Sequence, residues 1–539
     1  MNVYLYGVGP PDDRKWLMVD LGITFPHDLE PGVDVVLPDV RFIAEQAPNL
    51  VGIVITHAHE DHIGAVIDMW PRLKAPIYAT PFTAGMLKSK ISEFAGKVKL
   101  PINVVPVGGK FQAGPFAVEM VTLSHSIPEP SGLLIETRHG RVFHTGDWKL
   151  DQAPLVGAPA DEKRLQEIGE AGVDALICDS TNAFRDGHSP SETEVSASIL
   201  NIIKGARKRV AVTTFASNVA RVRAVADAAI ATGRQLVVAG RSMHRVIEVA
   251  KDTGYLPQSF RYLDQDQFGY IEREDLLLLC TGSQGEPRAA MARIAEGEHP
   301  HIEMVGGDLV IFSSRTIPGN EKAVSRIQNA LARIGVDIIT GDEKLVHVTG
   351  HPRRDELRQM YGWLKPRVVI PMHGEARHLR ETARLAREAG VKQVHILIDG
   401  EVVKLAPGQS AVVDEAPVGR LYRDGRLIVP SGEGPVRERR KLSFVGIVVV
   451  SLVLSRRGET LAEPQVVLDG VPKDTADGES MEEVVLTAVE GTLRSIPPAR
   501  RRDVGMVEEA VRRSVRNTID NAWGKKPIVK VMASVVEGK

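Results

Sequence analysis

The stretch His57-Ala58-His59-Glu60-Asp61-His62 gathers three imidazoles and a carboxylate within six residues, directly after the apolar run VGIVIT at 51–56. Residues 57 and 59 leave a strand end on one side, because strand side chains alternate with period two. A tight turn then presents Asp61 and His62 at a helix start. Neutral imidazoles and carboxylates at this density suit a divalent zinc or manganese ion. Four such groups this close also fit two adjacent metals. The alternative is a polar, solvated loop, although dense histidine clusters rarely have a packing use. Three more polar residues stand at strand ends: His125 after VEMVTLS, Asp147 after RVFHTG and His373 after RVVIPM. Each alone has a plausible structural reading, and a lone histidine is more often structural than a ligand. Together they complete a ligand set, since an Asp can bridge two ions through its two oxygens. Two ions about 3.5–4 Å apart can hold a hydroxide and clamp a phosphoryl oxygen.

These residues need strands to end beside one another. The runs at 16–22, 51–57, 116–125, 132–147 and 174–181 read as strands, and 62–73 and 83–94 as helices. A second series follows. Strands at 209–217, 235–240, 275–282 and 308–314 are expected with helices at 218–232 and 242–251, each strand ending in small polar residues, where α/β sheets place phosphates. The chain then returns to strand 344–351, helix 353–364 and strand 367–375. Residues 429–441 (VPSGEGPVRERRK) read as a linker. Beyond it, strands at 443–454 and 464–468 precede a helix opened by a capping box, Ser480-x-x-Glu483. Val504, Val507, Val511, Val515 and Ile519 mark another helix, and 527–537 a last strand.

The 539 residues suggest about three or four domains. A hydrophobic fraction of 43% and a charged fraction of 25% are those of a globular chain, which excludes disorder and collagen as the main reading. The formal charge of −2 excludes a global basic field, so any nucleic acid would meet a local basic channel. Cys178 and Cys280, the two cysteines, sit in apolar runs and read as buried free thiols. The apolar run Leu442–Leu454 falls short of the ~20 residues that span a bilayer. No secretory signal opens the chain, and a cytoplasmic protein without membrane attachment is expected.

HAHEDHIG, with Asp20 upstream and His125, Asp147 and His373 downstream, resembles the metallo-β-lactamase superfamily of binuclear hydrolases. The long insertion between Asp147 and His373 resembles the β-CASP subgroup, whose members cut nucleic acid. Asp179 in ICDST, His351 in HVTGH and His373 in PMHGE resemble that subgroup's three motifs. DSTNA, TTFASNVARV, AGRSM, TGSQGEP and IPGNE are similar to the bacterial ribonuclease J family, and the likeness runs from about residue 3 to the C-terminus.

The resemblance implies an α/β fold: a metallo-β-lactamase αββα sandwich (1–181 and 341–425) with an inserted β-CASP α/β domain (182–340), a linker (426–441) and a small C-terminal α/β assembly domain (442–539). It implies that His57, His59 and His125 hold one ion, that Asp61, His62 and His373 hold the other, and that Asp147 bridges them. Zinc is expected, with manganese or magnesium as alternatives. Asp20 would orient a ligand. His351, supported by Asp179, would protonate the leaving 3′-oxygen, with Asp61 also in the catalytic set. A phosphate-binding or structural His351 and a helix-capping Asp179 are the alternatives. Thr349, Gly350, Arg241, Ser242, Ser313 and Ser314 are expected to contact RNA phosphates, or else to serve as turns and caps. Phe215 reads as core or as a base-stacking ring.

The implied activity is a 5′→3′ exonuclease on 5′-monophosphorylated single-stranded RNA, with endonuclease activity, in RNA decay and rRNA maturation. It would proceed by hydroxide attack on the phosphodiester. Alternatives are a DNA nuclease, a small-molecule metallo-hydrolase and an RNA-binding scaffold with a degenerate site. Expected partners are single-stranded RNA, further copies in a homodimer or homotetramer, and RNA-decay proteins. The family opens with a Gly-rich strand upstream of the segment matching MNVYLYG, so a first-sheet edge strand is expected to be missing here.

Overall fold

The computed structural model describes residues 1–93, 98–432 and 434–536. Phe94, Glu433 and Glu537, which end an expected helix, sit in the expected linker and end the last expected strand, lie outside the described residues. The chain forms two compact units, Met1–Thr24 with Leu37–Arg420, and Phe25–Val36 with Leu421–Lys539.

In the first unit a five-stranded sheet runs in the order Tyr4–Val8, Lys15–Val19, Leu50–Val54, Ile77–Ala79, Ile102–Val104. A seven-stranded sheet runs in the order Gln393–Val394, Val368–Met372, Ala175–Asp179, Gly140–His144, Ser131–Thr137, Phe116–Thr122, Lys110–Ala113. Leu17, Val19 and Val54 of the first meet Phe116, Val118, Met120, Leu133 and Ile135 of the second in one apolar layer. The outer face of the second sheet is covered by helices through Leu165, Ile168, Leu357, Met360 and Leu385. The result is an αββα sandwich.

The insert builds its own six-stranded sheet, ordered Leu263–Asp264, Gln235–Ala239, Leu276–Cys280, Val210–Thr213, Leu309–Phe312, Asp337–Ile339. Every pairing in it is parallel. That explains strands such as Leu276–Cys280 that are buried at every position rather than alternating. Both cysteines are buried and unbridged.

In the second unit, Ile447–Ser455 lies between Gln465–Asp469 and Ile528–Val536. Its burial alternates, and Val448, Val450, Leu452 and Leu454 pack on Val485, Val489, Val507 and Val511 of two helices. The apolar run at 442–454 therefore splits between a helix and a two-faced strand. Among the described residues no helix is long and apolar enough to cross a membrane.

Several local expectations are corrected. Residues 344–351 form no strand; they run as an irregular segment whose Val346 carbonyl is held by side chains instead of a ladder. The expected helix at 62–73 divides into Glu60–Ile63 and Val66–Leu73. The stretch 426–441 is not linker throughout. It contains strand Leu427–Pro430 and the start of helix Pro435–Val445, where proline at the first helical position fits because its missing N–H needs no partner there. Ser480 is the N-cap residue of helix Met481–Ser495, but its side chain makes no cap hydrogen bond. The N–H of Met481 donates instead to the Lys473 carbonyl at 2.8 Å.

Candidate metal centre and its acid pair

Strand registers bring the site together. Val19 pairs with Val54, so the next residues, Asp20 and the turn at Thr56, face each other. Asp179 pairs with Met372, which sets His373 beside it across the whole length of the insert. Asp20 and His373 both take positive φ, at 61° and 51°, uncommon for residues with side chains and concentrated at functional sites.

Two groups of ligand atoms result, and they share Asp147: His57, His59, His125 and Asp147, and Asp61, His62, Asp147 and His373. His57 Nε2 and His125 Nε2 each lie 3.1 Å from His59 Nδ1. A tetrahedral ion with ligand bonds of about 2.0–2.1 Å spaces its nitrogens roughly 3.3–3.4 Å apart, so both separations lie close to that spacing. Asp147 Oδ2 stands 3.3 Å from His62 Nε2 and 3.9 Å from both His57 Nε2 and His125 Nε2. His373 reaches Asp147 Oδ1 at 3.1 Å through Nδ1 and Asp61 Oδ2 at 3.2 Å through Nε2. Asp147 Oδ1 is buried, and among the described residues no hydrogen-bond donor is aligned on it. A buried carboxylate oxygen left open among imidazole nitrogens fits a cation.

Outer contacts fix which nitrogen points inward. His62 Nδ1 lies 2.7 Å from Asp20 Oδ2, His57 Nδ1 lies 3.0 Å from Thr56 Oγ1, and His125 Nδ1 lies 2.5 Å from the Gly350 carbonyl. Thr56 in turn donates to Asp20 through its N–H at 2.8 Å and its hydroxyl. Burial, the largest influence, holds His57 and His125 well below the ordinary histidine pKa and takes His59 down to about 4. These imidazoles are therefore neutral, as ligands must be. Burial also opposes charge on His62 and His373, but neighbouring carboxylates, Asp147 foremost, outweigh it, taking His373 up to about 10. Those are the protons that a divalent cation would displace. Asp20 meets the candidate ligands through the outward Nδ1 of His62, so Asp20→Asn should leave the ligand set intact yet weaken metal binding about 10- to 100-fold. Chelator competition, read by metal analysis, checks this.

His351 and Asp179 form a third group with Asp147 and His373. His351 Nδ1 is 2.7 Å from Asp179 Oδ2, a hydrogen bond, and 3.9 Å from Asp147 Oδ2. Thr181 Oγ1 lies 2.8 Å from Asp179 Oδ1 and 3.0 Å from His373 Nδ1, tying the pair to the ligands.

The phosphate candidates fare differently. Ser313 is fully buried; its hydroxyl donates to the Val346 carbonyl at 2.7 Å and accepts from Arg221, so it faces no phosphate. Ser314 is buried against Gln284. Gly350 packs on His125, where an added Cβ would meet the ring at 2.3 Å. Thr349 Oγ1 accepts from Asn182 Nδ2 at 2.9 Å. Arg241 and Ser242 are exposed at the start of helix Arg241–Asp252. Phe215 is half-buried.

Sequence reasoning missed Asn2, whose Nδ2 lies 3.1 Å from Asp61 Oδ2 and 3.0 Å from His62 Nε2; no motif marks it. It also missed Asn182, which holds Thr349 and the His351 carbonyl and accepts from Arg315 at 3.1 Å. Its place in DSTNA was the available signal.

Comparison with known proteins gives a consistent picture. The Ribonuclease J beta-CASP domain family matches residues 207–331, and the Ribonuclease J C-terminal domain family matches 434–536. The beta-lactamase superfamily domain matches 29–214, and the Zn-dependent metallo-hydrolase RNA specificity domain matches 335–397. The chain is 52% identical to Ribonuclease J of Sinorhizobium meliloti, over 99% of this chain and 95% of that one. It is 38% identical to Ribonuclease J of Mycolicibacterium smegmatis, over 96% and 92%. A crystal structure of a protein of unknown function from Enterococcus faecalis shares the fold at 14% identity and a TM-score of 0.50, covering 76% of this chain and 96% of that one.

Proposed function

We propose, from the premise that this chain belongs to the ribonuclease J family, that it trims 5′-monophosphorylated single-stranded RNA in the 5′→3′ direction and also cuts internally. It is a metal-dependent ribonuclease. One observation carries the finer reading: the His351–Asp179 pair stands beside two ligand groups that share Asp147.

In this reading His57, His59, His125 and Asp147 hold one divalent cation, and Asp61, His62, Asp147 and His373 the other; the family description favours zinc. When bound, the two ions acidify water and neutralise charge on the phosphoryl oxygens. The chain supplies the rest. Asp179 occupies Nδ1 of His351, which leaves Nε2 to carry a proton to the leaving 3′-oxygen. Burial opposes that proton, but the Asp179 and Asp147 carboxylates outweigh it and hold the His351 pKa above the ordinary histidine value, which favours the protonated form. Asn182 and Thr349 hold the His351 segment in place, and Arg241 and Ser242, exposed at the start of helix Arg241–Asp252, would meet backbone phosphates of the bound strand.

The same reading assigns 182–340 to the β-CASP insert and gives the C-terminal domain an assembly role, as a homodimer or homotetramer in the cytoplasm. Val467 and Met532, exposed on the three-stranded sheet of that domain, support an interface there.

The test is digestion of matched RNA and DNA single strands, each with a 5′-monophosphate or a 5′-hydroxyl, with added Zn²⁺ or Mn²⁺. RNA-selective release of mononucleotides, faster from the monophosphate end, is expected. Equal cutting of DNA, or indifference to the 5′ end, would overturn the substrate reading.

A further inference from the structure

Helix Pro435–Val445 buries Val436 and Val445 and turns Arg437, Arg440, Lys441 and Phe444 to solvent. These four are spaced 3, 4 and 7 residues from the first, which places them on one face. Phe444 is 68% exposed. Lys525 Nζ sits 4.5 Å from the centre of its ring and 5.1 Å from that of Trp523, and donates to the Phe444 carbonyl at 3.3 Å. Among the described residues, Arg437, Arg440, Lys441 and Lys525 have no carboxylate partner. The neighbouring Arg439, on a different side of the helix, is paired with Asp424 at 2.7 Å.

Like charges at these spacings destabilise a helix slightly, and an open phenyl ring gains nothing from folding. In a chain of net charge −2 the stripe is not part of a general basic surface. We infer that Arg437, Arg440, Lys441, Phe444 and Lys525 form an accessory site for single-stranded RNA, separate from the metal centre. The guanidinium and ammonium groups meet phosphates, and Phe444, steadied by Lys525, offers a stacking face to a base. The stripe from 437 to 444 is about 10 Å long, room for one or two extended nucleotides. A membrane surface fits poorly, because the helix's apolar face is already spent on the protein core. A second copy of the same face fits poorly too, because a two-fold contact would set like charges opposite each other. The inference rests on the reading of RNA as the substrate.

The experiment measures equilibrium binding of a 5′-phosphorylated oligouridylate to the full chain, every arm carrying Asp147→Ala so that the RNA stays intact. Phe444→Ala is expected to weaken binding roughly 5- to 150-fold, the size of one lost base stack, and Phe444→Trp to keep it within about twofold. The combined Arg437→Ala, Arg440→Ala, Lys441→Ala variant is expected to weaken binding and to lower the slope of log affinity against log salt by about 2. Unchanged affinity and slope in both variants would overturn the site. So would unchanged RNA affinity with a smaller particle in sedimentation, which would make the face an interface between copies. Failure of the Asp147→Ala parent to bind RNA, together with failure of the unsubstituted protein to cut it in the digestion above, would instead bring down the substrate reading, so the two failures are distinguishable.

Discussion

Asp147→Ala is expected to remove RNA cutting by at least roughly three decades if Asp147 is shared by two metal sites, as proposed, because several kcal/mol of transition-state charge stabilisation would go with the ions. Asp147 is common to all three groups of ligand atoms. Its Oδ2 faces the His57, His62 and His125 imidazoles, and its Oδ1 faces His373. Burial pushes its pKa up, but His373, His62 and His351 overcome this and keep it ionised. Without it each candidate ligand group loses a member at once, so metal analysis should show less bound metal than in the wild type. A second readout does not depend on activity. Ions that bind only the folded protein stabilise it by about 2.7 kcal/mol at a hundredfold excess over Kd. Added Zn²⁺ or Mn²⁺ should therefore raise the unfolding temperature of the metal-stripped wild type and leave that of Asp147→Ala nearly unmoved. His351→Ala provides the contrast. It should keep its metal and its thermal response while losing about 10²- to 10⁴-fold in kcat, the worth of a positioned acid. Full metal content and full activity in Asp147→Ala would remove it from the centre.

The candidate ligands were legible because they stand at or just beyond the ends of apolar runs, and a strand's carboxyl end is where α/β sheets place chemistry. His125, Asp147 and His373 needed no long-range information for that. The supporting contacts did. Ser313 read as a phosphate contact because it ends a strand in small polar residues, yet it is buried under Arg221, more than ninety positions away in the chain. The segment 344–351 has the apolar alternation of a strand, with Val346 and Val348 buried, but side chains take the place of a pairing partner. Likewise, the Pro, Gly and basic residues of 429–441 suggest a linker, whereas burial of Val436 and Val445 makes a helix of its second part. Composition reports local preference; which face is covered is decided by tertiary contacts.

Arg221→Met is expected to destabilise the first unit by about 3–5 kcal/mol, because it strands a carboxylate in a low-dielectric interior. Arg221 is fully buried. Its Nη2 lies 2.8 Å from Glu192 Oε2, and its Nη1 donates to Ser313 Oγ and to the Val346 carbonyl. The Glu192 N–H donates to Asp151 at 3.0 Å, and Asp151 lies 3.0 Å from the buried Lys149 ammonium. The chain of charges thus joins the insert to the sandwich. A buried pair of this kind adds little net stability over an apolar pair of similar volume, but losing one partner is severe. The double variant Arg221→Met, Glu192→Met should therefore recover most of the loss, a coupling that a double-mutant cycle in urea reads directly. A second effect should survive in the double variant. Val346 precedes His351 by five residues, and its carbonyl loses the guanidinium in both variants. Amide hydrogens of 344–351 should exchange faster, and kcat should fall, even where stability returns. If stability and exchange recover together, the guanidinium holds only its charge partner; if stability returns while exchange and kcat do not, it also positions the acid.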